Sequence, residues 1–93
     1  MLSTPVILTV AGSDCSGGAG IQADIKTISA LKGYAASVIT AVTAQNTVRV
    51  QTVYPIPPDI VRMQTESVMD DLQPAAVKIG MVHLSLIHIS EPT

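Results

Sequence analysis

Four of the chain's six glycines fall in the string Gly12-Ser13-Asp14-Cys15-Ser16-Gly17-Gly18-Ala19-Gly20. Small and polar residues at that density form a loop that adopts positive φ or lets a ligand come close to the backbone. Two phosphate-binding patterns bear comparison. Gly12 to Gly17 has the spacing of a Walker A loop, but Gly18 and Ala19 stand where Lys and Ser or Thr are required, and without the Lys a P-loop is rejected. Gly18-Ala19-Gly20-Ile21-Gln22-Ala23 fits G-x-G-x-x-A, yet it lies several residues past the preceding apolar run. No acid closes the next such run to hold a ribose, which argues against a dinucleotide. What remains is a glycine loop feeding a helix N-terminus, whose unpaired N–H groups favour an anion or a polar ligand. A loop that merely turns the chain is the alternative.

Beyond the loop, Asp24 falls in the expected first turn of that helix, where the macrodipole alone would account for a carboxylate. Gln45 closes a long apolar run and so is expected at the C-terminal edge of a strand, where open α/β sheets bind ligands. Its amide offers a donor and an acceptor together, matching the edge of an aminopyrimidine. Lys26 and Lys32 read as solvated helix positions. Cys15 has no histidine near it in sequence to form a thiolate pair, so it reads as a bystander. His83 and His88, without a neighbouring Cys or carboxylate, make a poor metal site.

The elements that must position these residues follow from periodicity. Val6 to Ala11 is a short β-branched run ending at Gly12, a buried strand. Ile21, Ile25, Ile28 and then Leu31 or Lys32 recur at helical spacing up to Gly33, which is expected at C′. Tyr34 to Ala44, rich in Val, Ile, Thr and Ala, predicts a second buried strand, completing a βαβ unit with a right-handed crossover. Val48 to Tyr54 predicts a short exposed strand or an extended connection. Pro58 suits the first turn of a second helix whose apolar face is Val61, Val68 and Leu72, assisted by Ile60 and Met63, and which ends before Pro74. Ala75 to Met81 predicts a third parallel strand.

Composition sets the limits. The 93 residues allow one small domain. Hydrophobic residues make up 47% of the chain, but Phe and Trp are absent and Tyr34 and Tyr54 are the only aromatics, so aliphatic side chains must fill the core. That palette suits buried parallel strands under helices. A net charge of −2 with scattered basic residues gives no footprint for nucleic acid or for a membrane surface. A single cysteine excludes an intrachain disulfide and fits a reducing compartment. The N-terminus lacks the basic region of a signal peptide, and no apolar run approaches the ~20 residues of a membrane span. A soluble, cytoplasmic protein is expected.

The string Val10-Ala11-Gly12-Ser13-Asp14-Cys15-Ser16-Gly17-Gly18-Ala19-Gly20-Ile21-Gln22-Ala23-Asp24-Ile25-Lys26-Thr27 resembles the opening signature of hydroxymethylpyrimidine/phosphomethylpyrimidine kinases. Val38-Ile39-Thr40-Ala41 with Ala44-Gln45-Asn46-Thr47, and Val77-Lys78-Ile79-Gly80-Met81, resemble that family's later blocks, so the likeness covers residues 5–83. The resemblance implies an α/β fold, the N-terminal part of a ribokinase-like three-layer sandwich with a mainly parallel sheet. It further implies ATP-dependent phosphorylation of hydroxymethylpyrimidine and its monophosphate on the route to thiamine diphosphate. Substrate-binding positions carried over are Gln45, Gly12, Asp24 and Met81. ATP and Mg2+ would be held mainly by residues that this chain does not carry, as would the catalytic loop, so the chain by itself is expected to be inactive. A homodimeric full-length enzyme is the oligomer considered. A pyridoxal or pyridoxine kinase of the same superfold, and a non-catalytic metabolite-binding module, are the competing readings.

Leu84-Ser85-Leu86-Ile87-His88-Ile89-Ser90-Glu91-Pro92-Thr93 resembles the translation of a transposase-derived sequencing adapter. Residues 1–83 are therefore expected to be the incomplete kinase portion and residues 84–93 a non-native tail.

Overall fold

The computed structural model describes residues 4–80. Met81, His83, His88 and the segment 84–93 lie outside them. Seven elements follow in order: β1 (Val6–Ala11), α1 (Gly20–Ala30), β2 (Tyr34–Ile39), β3 (Ala41–Gln45), β4 (Val50–Pro55), α2 (Pro58–Asp71) and β5 (Ala76–Ile79).

β1 is the middle strand of a parallel sheet in the order β2-β1-β5, with Val6 opposite Tyr34 and Ile7 opposite Ala76. Side chains alternate across a strand, so β1 serves two layers. Val6, Leu8 and Val10 point to one side, where with Ala36 and Val38 they pack on Val61 of α2. Ile56, Val68 and Leu72 border that cluster. The intervening Thr9 bonds Asp24 of α1, which places α1 on the opposite face. The expected layering of helices on both faces of a mainly parallel sheet is therefore present. Val61, at 2% exposure, anchors α2, and its truncation to Ala would cost about 2 kcal/mol.

Three local expectations are corrected. The run from Tyr34 to Ala44 is not one strand but β2 and β3, separated at Thr40 and lying in different sheets. At the break, the Gln64 side chain brackets the Ile39 backbone, accepting its N–H at 3.0 Å and donating to its carbonyl at 2.9 Å. The Thr40 N–H then makes the last bond to β1, on the Ala11 carbonyl, while its own carbonyl takes the Ile56 N–H. Those interactions turn the chain away from the parallel sheet although the β-branched composition continues. β3 pairs with β4 as an antiparallel ribbon, closed by Asn46, whose Oδ1 accepts the N–H groups of Val48 and Arg49.

Gly33, expected at C′, sits one residue later. The Lys32 N–H bonds Ser29 and the Gly33 N–H bonds Ile28, the two bonds of a Schellman cap, so Lys32 itself takes the left-handed conformation at φ 67°. Gly33 is needed instead for close approach, since a Cβ there would lie 2.9 Å from Ile28 Cγ2. The apolar stripe of α1 is only partly covered: Ile21 is buried, while Ile25 and Leu31 are exposed among the described residues.

Candidate functional site

The glycine loop folds around one carboxylate. Asp14, buried at 4% exposure, accepts the Ser16 N–H (2.9 Å) and hydroxyl (2.7 Å) on Oδ1 and the Gly18 N–H (3.1 Å) on Oδ2. The Ser16 hydroxyl and the Ser16 amide, followed by the amides of Ala19 and Gly18, hold its carboxyl below the ordinary range against the opposing effect of burial. The Ser16 and Gly18 amides of the loop are thus engaged by the chain's own acid. Positive φ at Gly17 and Gly20 lets the loop enter α1, with the Ile21 N–H on the Gly12 carbonyl. Lys26, expected to be solvated, places its ammonium 2.8 Å from the Gly17 carbonyl and closes the loop from outside.

A seam of hydrogen bonds fastens this loop to β3. The Ser13 N–H donates to the Ala41 carbonyl (2.8 Å), the Thr43 hydroxyl to the Ser13 carbonyl (2.7 Å) and the Cys15 thiol to the Gln45 carbonyl (3.0 Å). The loop thus bonds β3 at residues 41, 43 and 45, the last just past the register irregularity between Ala44 and Gln45. Cys15 is exposed, and its thiol is the partner of the Gln45 backbone.

Between the loop, the ribbon and the C-terminal ends of β1 and β5 lies an open cavity of about 520 Å³. Gly12, Asp24 and Gln45 all line it, so three of the four residues expected to bind substrate converge; Met81 lies outside the described residues. Gln45 reaches the cavity from the end of the antiparallel ribbon and not from the parallel sheet, which corrects the reasoning that first singled it out.

Asp24 also departs from its expected setting. α1 begins at Gly20 and no acid lies in its first turn, so Asp24 is not a dipole-stabilising cap. Its Oδ2 accepts the Thr9 hydroxyl at 2.6 Å and its Oδ1 pairs with the Lys78 ammonium at 2.7 Å. The Lys78 hydrogen bond first, then that of Thr9, with the Lys78 charge adding, hold this carboxyl below its ordinary value, against the smaller effect of burial. Lys78 lines the same cavity and escaped the sequence reading. It stands on β5, a strand exposed along its length, with its own side chain 57% exposed, so the sequence carried no burial signal for a partner.

The structure and sequence are similar to solved and curated kinases. A family model described as phosphomethylpyrimidine kinase matches residues 14–89. The hydroxymethylpyrimidine/phosphomethylpyrimidine kinase of Salmonella typhimurium is 60% identical over 75 residues, 81% of this chain and 28% of that protein. The crystal structure of phosphomethylpyrimidine kinase from Clostridium difficile superposes with a TM-score of 0.90 at 53% identity, over 92% of this chain and 38% of that one. Pyridoxal kinase from Staphylococcus aureus, in complex with AMP-PCP and pyridoxal, gives 0.77 at 38% identity, over 85% of this chain and 30% of its own. The chain spans less than a third of the length of the Salmonella kinase. These likenesses agree with the ribokinase-like architecture expected from the signature residues, and the chain belongs to the phosphomethylpyrimidine kinase family.

Proposed function

We propose that these residues form the substrate-side wall of a kinase that transfers a phosphoryl group from ATP, with Mg2+, to hydroxymethylpyrimidine and then to its monophosphate, in the cytoplasm and on the route to thiamine diphosphate. One observation supports this reading above others: Gly12, Asp24 and Gln45, separated in sequence, line a single cavity in a chain of this family. In that wall the Gln45 amide supplies a paired donor and acceptor for the ring edge. Asp24 supplies a negative acceptor suited to an exocyclic amine. Gly12 and Gly20 keep the floor free of side chains beside the ring.

The fit to ATP is poor at the glycine loop, because Asp14 occupies the Ser16 and Gly18 amides and adds a negative charge there. The nucleotide's triphosphate, which supplies the transferred group, is therefore assigned to residues beyond those described. Phosphoryl transfer rests on positioning and on neutralising the phosphates. The 93-residue chain on its own is accordingly proposed to be silent.

Pyridoxal is the competing substrate, favoured by the likeness to the Staphylococcus aureus enzyme. The test is the complete kinase carrying this segment, assayed for ATP-dependent phosphorylation of hydroxymethylpyrimidine and of pyridoxal in parallel. Faster turnover of the pyrimidine is expected. A preference for pyridoxal would overturn the reading, and turnover by the 93-residue chain alone, surviving repeated purification, would show that the missing part is dispensable.

A further inference from the structure

Asp24 is held with unusual completeness for a residue whose capping role has disappeared. Each carboxylate oxygen has its own donor, Thr9 from β1 and Lys78 from β5, and these two are register partners on adjacent strands. Thr9 is fully buried, where valine would fill the same space, so its hydroxyl is there to donate. The Asp24 side chain is 13% exposed, and among the described residues lining the cavity it is the one anion, as Lys78 is the one cation. An ionised carboxylate has about four acceptor sites, so two remain after Thr9 and Lys78 are served. With both oxygens tied, the group cannot rotate about χ2.

We propose that Lys78 and Thr9 are positioning residues that act through Asp24: together they fix its carboxylate as an oriented acceptor for the exocyclic amine of the substrate, and so select an aminopyrimidine over a ring that lacks the amine. This rests on the function proposed above. A purely structural triangle, tying α1 to the sheet, would give the same geometry but no dependence on the substrate's amine. A charge-assisted bond whose geometry is preset is the stronger for it, and a site built to accept from an amine rejects the analogue without one.

The experiment uses the complete kinase carrying this segment, with Lys78→Met, Lys78→Arg and Thr9→Val, each also made in an Asp24→Asn background. Lys78→Met and Thr9→Val are each expected to raise KM for hydroxymethylpyrimidine roughly tenfold, with KM for ATP moved less than about twofold, the size of one lost charge-assisted hydrogen bond. Lys78→Arg should restore most of the loss. In the Asp24→Asn background neither substitution should add a further penalty, and for the analogue in which hydrogen replaces the amine none of the variants should differ from the parent. Unchanged KM in both variants, full additivity with Asp24→Asn, or an equal penalty on the deamino analogue would each overturn the proposal. Thr9→Val conserves shape, so it carries the test if Lys78→Met does not fold. Calorimetry with the free aminopyrimidine separates the two ideas: a parent that binds it without phosphorylating it sinks the proposed function and leaves the clamp standing, whereas a parent that does not bind it sinks both.

Discussion

Cys15 and Gln45 exchange hydrogen bonds between the glycine loop and β3: the thiol donates to the Gln45 carbonyl at 3.0 Å and accepts the Gln45 N–H at 3.3 Å. The backbone of Gln45 is thereby fixed from behind while its side chain stays available to a ligand. In the complete kinase, Gln45→Ala should weaken pyrimidine binding by about 1–3 kcal/mol and leave ATP binding nearly intact, the loss of one paired polar group from a desolvated site. Titration calorimetry with each ligand separately checks both halves of that statement, and an unchanged pyrimidine affinity would remove Gln45 from the site.

Gly20 combines a φ of +58° with a direct approach to Gly12, whose carbonyl oxygen a Cβ would overlap. Gly20→Ala therefore strains the backbone and displaces the carbonyl that receives the Ile21 N–H. A loss of about 2–4 kcal/mol is expected, more than the usual Gly-to-Ala effect, because steric overlap adds to the conformational term. Gly18→Ala is the control, since its nearest neighbour to a new Cβ, Asp14 Oδ2, is 3.9 Å away. Chemical denaturation of the two variants should separate them clearly; equal stabilities would contradict the geometry.

Asp14 and Asp24 both have carboxyls held below the ordinary 3.8 in the folded state. The unfolded chain then takes up protons more readily than the folded one, so their contribution is complete above that ordinary value and is lost as pH falls through the lower folded values. Urea midpoints measured from about pH 7 down to about pH 3 should decline at the acid end, and Asp24→Asn should flatten part of the decline. An acid limb identical in the variant would show that Asp24 does not titrate between the two states.

Residues 84–93 are proposed to contribute nothing to the native fold. Deleting them should leave the unfolding midpoint unchanged and keep or slightly raise solubility, through removal of Leu84, Leu86, Ile87 and Ile89. The family match runs to residue 89, so the deletion also reads where the kinase portion stops. A cooperative transition that vanished on deletion would make the segment part of the structure.

Much of this was legible in the residues. β1 was legible to the residue because a β-branched run stopped at Gly12, and α2 because Pro58 opens it and Val61 and Val68 recur toward the core. The split of β2 from β3 was not, since it depends on Gln64, 25 residues away, capturing the backbone of Ile39. The convergence of Gly12, Asp24 and Gln45 could be expected from the family signature, but the means could not. The ribbon that carries Gln45 is a local hairpin, but its departure from the parallel sheet and the ion pair that holds Asp24 both rest on contacts distant in sequence, the latter spanning 54 residues. Periodicity has no access to such pairs.

The engagement of the Ser16 and Gly18 amides by Asp14 bears on how the proposed reaction avoids interfering with itself. A loop with the Ser16 and Gly18 amides already engaged offers fewer donors to free phosphate, to nucleotide or to a phosphorylated product. Under the function proposed above, nucleotide choice would rest with other segments, free to change without disturbing ring recognition. Removing the Asp14 carboxylate would give the loop an anion site, and with it a susceptibility to inhibition by phosphate.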